Sequence, residues 1–191
     1  MNNKEKFDRY AALLTQWSAK MNLVAPSTLA DIETRHFADS AQLADILPHD
    51  VNIIDMGSGA GFPGVVLAIL GWRVTCIESI GKKTTFLNTV KTELGLENLT
   101  IFHGRVEDFI RHNPPHPQTD VFTCRAFAPL IKILDYVVGT KCRLFLLKGR
   151  DIQTEITTAQ TRYRFDYQLT PSQTGDGFIV QIENIRLFHM K

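Results

Sequence analysis

Apolar residues over the first fifty positions recur at helical spacing, and after that they fall into short dense runs separated by polar and glycine-rich breaks. Phe7, Tyr10, Leu14, Trp17 and Met21 step by three and four residues, the single stripe of an amphipathic helix that needs a surface to cover. Thr28-x-x-Asp31 reads as a capping box opening a second helix through about Phe37. Leu43, Ile46 and Leu47 then give a third apolar face that Pro48 stops. From there the pattern alternates: strand 51–56, helix from Pro63, strand 73–78, helix 82–94, strand 99–103, short helix 106–111, strand 120–124, helix 129–138, strand 142–147, helix 151–160. Strands separated by helices predict a parallel sheet with crossover connections. Phe165–Leu169 and Phe178–Phe188 are instead joined through Pro171–Gly177, too short for a helix, so the sheet is expected to close with an antiparallel hairpin.

A chain of 191 residues with 44% hydrophobic content can bury a substantial core without cross-links, which predicts one domain: a helical extension over 1–48 and an α/β core over 49–191. Cys76, Cys124 and Cys142 are odd in number and lack metal-ligand spacing. Each falls within or at the end of a predicted strand, where reduced cysteine packs as a small hydrophobe, so no metal and a reducing compartment are expected. The N-terminus is polar and no run approaches the length of a bilayer span, so the expected location is cytoplasmic, away from membranes. Net charge is +1, against a surface that binds nucleic acid everywhere. Lys132, Lys141, Arg143, Lys148 and Arg150, set against the single acid Asp135, allow a local basic patch.

The chemistry is concentrated in Asp55-Met56-Gly57-Ser58-Gly59-Ala60-Gly61-Phe62-Pro63-Gly64, directly after the apolar run Val51–Ile54. A strand ending in a glycine-dense turn that opens a helix presents bare backbone and free N–H groups to a nucleotide-like ligand. Gly59-x-Gly61-x-x-Gly64 also satisfies the dinucleotide fingerprint, so a nicotinamide cofactor stays open. Asp55 favours S-adenosylmethionine, because a carboxylate there suits a cationic aminoacyl group better than a pyrophosphate. Glu78, at the end of the second strand, is placed to accept hydrogen bonds from ribose hydroxyls, as either cofactor requires. Val106, with Glu107 or Asp108, follows the third strand, where an adenine edge could lie; acids complementing a helix dipole explain the same residues without a ligand.

The fourth strand ends Cys124-Arg125-Ala126-Phe127-Ala128-Pro129, not in the Asn/Asp-Pro-Pro-aromatic tetrad that holds an exocyclic amine. Asn113-Pro114-Pro115-His116 mimics that tetrad but precedes the strand, and reads as a loop. Cys124 as a nucleophile lacks a preceding proline and a second cysteine to resolve an adduct. Arg125 can hold a carboxylate, stack on a base or pair with phosphate.

These segments closely resemble the RsmG (GidB) family, guanine-N7 methyltransferases of bacterial small-subunit ribosomal RNA. The resemblance runs nearly end to end: Trp17-x-x-Lys20-Met21-Asn22-Leu23, Arg35-His36-Phe37-x-Asp39-Ser40, the loop Asp55–Gly64, Glu78-Ser79-x-x-Lys82-Lys83-x-x-Phe86-Leu87, Arg105-Val106-Glu107, Arg125-Ala126-Phe127 and Leu147-Lys148-Gly149. It implies a class I, Rossmann-like S-adenosylmethionine-dependent methyltransferase with an N-terminal helical extension. Cofactor contacts are implied at Gly57, Phe62, Val106, Glu107 and Arg125, beside the loop's Asp55, Gly59 and Gly61 and the ribose acceptor Glu78. RNA-facing roles are implied for Lys82, Lys83 and Lys148. The partner would be small-subunit ribosomal RNA or a 30S assembly particle, and the target N7 of guanosine 527 of 16S rRNA.

Guanine N7 has a lone pair and no proton to lose, so such a transfer needs alignment and exclusion of water, together about 7–11 kcal/mol, and no general base. Arg125 and Lys148 are the expected orienting groups. Arg35 and His36 are expected in the pocket wall or the helical cap, although Arg35 with Asp39 also reads as an ion pair one helical turn apart. Val24 stands where the family usually has threonine, Cys124 where serine is common, and the C-terminal part is short; these departures bear on the RNA groove more than on the chemistry. Two other readings are a non-catalytic RNA-binding module that senses S-adenosylmethionine and a nicotinamide-dependent oxidoreductase. The latter lacks a substrate domain, a tyrosine–lysine pair and a catalytic histidine setting.

Overall fold

The structure, a computed structural model, describes residues 1–188. Helix α1 (Asn3–Ser18) opens on a capping box in which the Asn2 side chain accepts from the Glu5 N–H and Glu5 reaches back to the Asn2 N–H. The next segment departs from the sequence expectation. Instead of two further helices it holds a single turn, α2 (Pro26–Leu29), then a π-helical stretch Glu33–Ala38 that runs on through α3 (Asp39–Ala41) into a 3₁₀ turn Gln42–Asp45. Thr28 caps nothing: its hydroxyl donates back to the Ala25 carbonyl at 2.7 Å and meets the His36 ring at 2.8 Å, from within α2.

The alternating part matches its prediction closely. It comprises β1 (Asn52–Met56), α4 (Gly64–Ile69), β2 (Arg73–Glu78), α5 (Gly81–Leu94), β3 (Leu99–His103), α6 (Val106–His112), β4 (Asp120–Arg125), α7 (Leu130–Val137), β5 (Arg143–Lys148) and α8 (Ile152–Gln160). A closing hairpin, β6 (Tyr163–Pro171) and β7 (Phe178–Leu187), completes a seven-stranded sheet of order β3-β2-β1-β4-β5-β7-β6. The first five strands pair in parallel, and β7 runs antiparallel between β5 and β6. Apolar Ile179, Val180 and Ile182 take β7 inward, while exposed Asp166, Tyr167 and Gln168 leave β6 as a polar edge that resists further pairing.

Each face of the sheet carries its own core. Helices α4 and α5 pack on one face with Tyr10, Leu13 and Leu14 of α1, and α6, α7 and α8 pack on the other. The N-terminal segment therefore shares a core with the sheet. Tyr10 is fully buried, and its hydroxyl donates to the Ala60 carbonyl at 2.6 Å, which ties α1 to the loop after β1. The three thiols are free and buried. Among the described residues no helix is long and apolar enough to cross a membrane, and no group of three or more His, Cys, Asp or Glu could hold a metal ion.

Candidate active site at the carboxyl edge of the sheet

Two cavities open where β1, β2, β4 and β5 end, the edge at which open α/β sheets bind ligands. The smaller, about 370 Å³, is walled by Gly57–Ala60, Phe62, Glu78–Ile80, Lys83 and Arg125–Phe127, with Leu23 and Val24 from the N-terminal segment. The larger, about 610 Å³, is lined by Arg35, Asp39, Arg125–Pro129, Lys148 and the hairpin loop residues Ser172, Thr174, Gly175 and Gly177, among others. Arg125, Ala126 and Phe127 belong to both walls. The backbone there is bent sharply, with Ala126 at φ 50.

The glycine loop is shaped for a close ligand. Gly57 has φ +65, and a Cβ on it would run into the Phe127 ring. At Gly59 a Cβ would meet only the Gly57 carbonyl, 3.9 Å away, so it would occupy space that the backbone leaves to a ligand. Glu78 is buried and holds the rim together: Oε2 accepts from the Gly59 N–H at 2.9 Å and Oε1 from the Ile80 N–H at 2.8 Å. Each oxygen keeps a lone pair for a ribose hydroxyl. These residues fit the nucleoside and aminoacyl parts of S-adenosylmethionine.

Asp55 corrects the sequence reading. It is fully buried under the loop and absent from the cavity wall; Oδ2 accepts from the Gly64 N–H at 3.0 Å, which fixes the start of α4. Burial raises its carboxyl to about 6, against the hydrogen bonds that favour the charged form. The residue shapes the loop from beneath it and presents no surface to the cavity. Gly61 also lies off the cavity, tucked against Tyr10 and Val65. Val106 is buried and Glu107 exposed at the start of α6, neither on the smaller cavity's wall. Lys82 is exposed beside Lys83, which does line that cavity.

Arg125 joins the N-terminal segment to the sheet. Its Nη1 donates to the Arg35 carbonyl and to Asp39 Oδ2, each at 3.1 Å, its Nη2 donates to His36 Nδ1 at 2.7 Å, and the guanidinium carbon lies 4.7 Å from the centre of the Phe62 ring. A guanidinium can only donate, so His36 Nδ1 accepts and its proton resides on Nε2, which donates to Thr28. His36 also stacks on Phe62 at 4.8 Å. Burial, aided by the Arg125 charge, lowers its pKa to about 4, so the ring is neutral at pH 7. The expected Arg35–Asp39 ion pair does not form, because the Asp39 carboxylate turns to Arg125.

Lys148 lines the larger cavity, but its ammonium is turned inward. It donates to the Ala128 carbonyl at 2.9 Å and pairs with Glu155 at 2.7 Å, with 9% of the side chain exposed. Glu155 also accepts from the Leu130 N–H at 2.6 Å. The ion pair thus braces the Ala126–Pro129 bend, and no RNA-facing ammonium is presented. The basic segment forms no single patch either: Arg143 begins β5 while Lys148 ends it, and Lys132 pairs with Asp135. Cys124 is buried, and its thiol is pushed up to about 12 by desolvation, unsuited to a nucleophile. Asn113 and Pro114 line a groove with Asn52 and Arg73, at the opposite edge of the sheet. Val24, one of the family departures, borders the smaller cavity.

Sequence reasoning missed Glu155, Gln42, Ser172 and Thr174. No local pattern marks them, because each also binds a partner 25 to 135 residues away that only folding brings near.

The sheet order and the two-cavity edge define the fold of S-adenosylmethionine-dependent methyltransferases. It is similar to a SAM-dependent methyltransferase from Aquifex aeolicus (TM-score 0.59, 13% identity, covering 83% of this chain and 94% of that one) and to an O-methyltransferase from Bacillus cereus (TM-score 0.60, 17% identity, 92% and 91%). The sequence profile of a family described as GidB, rRNA small subunit methyltransferase G, matches residues 3–175. Proteins named ribosomal RNA small subunit methyltransferase G are 42% identical in Rhodopseudomonas palustris, covering 94% of this chain and 83% of the relative, and 34% identical in Bartonella tribocorum, covering 96% and 89%. The chain belongs to this family.

Proposed function

We propose that this chain, acting as one domain, transfers a methyl group from S-adenosylmethionine to N7 of guanosine 527 of 16S rRNA. The coarser activity, S-adenosylmethionine-dependent methylation of small-subunit ribosomal RNA, follows from membership of the family. The observation that carries the finer reading is the shared wall Arg125–Phe127, where the smaller cavity meets the larger one without a free general base among the described residues. His36 has both ring nitrogens engaged, and both Asp39 oxygens already accept hydrogen bonds, one of them from the Arg125 guanidinium. A nucleophile with a lone pair and no proton to lose suits such a wall.

S-adenosylmethionine supplies an electrophilic methyl group on a sulfonium. The loop Gly57–Ala60 and Glu78 would hold its nucleoside and amino-acid parts, with Phe62 and Lys83 beside them. Arg125 has Nε and one Nη2 proton without a partner among the described residues, donors that can hold a base carbonyl and align the purine. Phe127 and Phe62 keep water out of the junction. Arg35, Lys82 and Lys83 are the proposed phosphate contacts, on free small-subunit RNA or on a 30S assembly particle in the cytoplasm.

Two measurements test this. Small-subunit RNA from cells lacking the protein should lose one N7-methylguanosine, read by mass analysis, and regain it with the wild-type chain. Arg125→Ala should fail to restore it while still folding. An unchanged modification in the deletion strain would leave the non-catalytic binding module as the better reading.

A further inference from the structure

Residues of the hairpin loop Ser172–Gly177 line the larger cavity, and Asp39 bonds to Thr174 of that loop while gripping Arg125. The two carboxylate oxygens divide this work. Oδ2 accepts from Arg125 Nη1 at 3.1 Å; Oδ1 accepts from the Thr174 hydroxyl at 2.8 Å and from Gln42 Nε2 at 3.0 Å. Gln42, itself buried, grips the loop again: its Nε2 reaches Ser172 Oγ at 3.1 Å, and its Oε1 accepts from the Gln173 N–H at 3.0 Å. At the far end Gly177 passes so close to the Lys148 carbonyl that a Cβ would come within 2.5 Å of it. One carboxylate thus connects a loop lining the cavity to the guanidinium on the wall between the cavities.

We propose that Asp39 is a positioning residue that couples closure of the 172–177 loop to the orientation of Arg125. With the loop closed, the Thr174 hydroxyl and Gln42 fix the carboxylate plane, and that plane fixes the direction of the guanidinium fork. With the loop open, Oδ1 keeps Gln42 but loses the Thr174 donor, the carboxylate is held less firmly, and the aim of Arg125 loosens. The loop then gates alignment as well as access. Its catalytic readout rests on the methyl-transfer reading; its structural readout does not.

Full-length Asp39→Asn, Thr174→Val and the double variant would be compared by steady-state methylation of small-subunit RNA and by hydrogen exchange of the 172–177 amides. Each single variant should lower kcat roughly ten- to a hundredfold, the scale of a lost charge-assisted hydrogen bond, and change KM much less. The double variant should be no slower than Asp39→Asn, since both remove one link. Exchange of the loop amides should quicken in both. Thr174→Val alters a half-buried position in a connecting loop outside the sheet core, and keeps the test open if Asp39→Asn folds poorly. Multiplicative losses in the double variant, or unchanged loop exchange in Asp39→Asn, would overturn the coupling. A wild-type chain that methylates no small-subunit RNA would instead sink the methyl-transfer reading, and the exchange measurements would still decide the coupling.

Discussion

At the scale of single residues, two buried titratable groups set opposing pH dependences. His36 is held neutral, its pKa lowered from 6.5 to about 4 by burial and by Arg125, so the folded state binds fewer protons than the unfolded chain. Its contribution is present above 6.5 and lost as pH falls through about 4. Asp55 is raised from 3.8 to about 6 by burial, so its contribution is present below 3.8 and lost as pH rises through about 6. The windows overlap and the two slopes have opposite signs, so in the wild type they offset one another between about pH 4 and 6. His36→Gln should expose the Asp55 slope, stability falling as pH rises. Asp55→Asn, which keeps an acceptor for the Gly64 N–H, should expose the opposite slope. Urea denaturation across this range checks both signs. The sequence marked Asp55 and His36 as special. It could not say that one carboxylate faces down into the loop or that one imidazole is a fixed acceptor, because both depend on neighbours brought in by folding.

At the scale of elements, the predicted helices and strands from residue 51 onward stand within a few residues of their observed ends, whereas residues 26–45 do not follow the pattern. The period-2 and 3.6 signals are strong where an element is long and covered on one face. Between Pro26 and Asp45 the chain must instead deliver His36 and Asp39 to Arg125. The widened π-helical turns accept that spacing, a device frequent at functional sites. The junction of α7, β5 and α8 is decided the same way, by Lys148 and Glu155. Glu155→Gln retains an acceptor for the Leu130 N–H but leaves a mostly buried ammonium without its counter-charge. It should lower stability by about 2–4 kcal/mol in chemical denaturation, and should lower methylation as the Ala126–Pro129 bend loosens. Lys148→Met, which removes both the charge and the need for its partner, should be milder in stability. A loss of RNA affinity in Lys148→Met with unchanged stability would return Lys148 to an RNA contact.

At the scale of the whole molecule, the smaller cavity lies between the N-terminal segment and the sheet, with Leu23 and Val24 on one side and the glycine loop on the other. A ligand bound there bridges the two and stabilises the folded state by mass action. S-adenosylhomocysteine at a hundredfold above its Kd should add about 2.7 kcal/mol and raise Tm by about 5–10 °C, measured by thermal shift. Nicotinamide cofactors should leave Tm where it is; protection by them alone would overturn the choice of ligand. The order of elements, the glycine loop and the family resemblance were all legible in the sequence, because local periodicity and turn chemistry reside in neighbouring residues. The placement of β7 inside β6, the inward turn of Lys148, the burial of Asp55 and the grip of Asp39 on Arg125 and Thr174 were decided by tertiary structure alone. Each is a competition among several possible partners, near and far in the chain, and only the packed molecule fixes which donor reaches which acceptor.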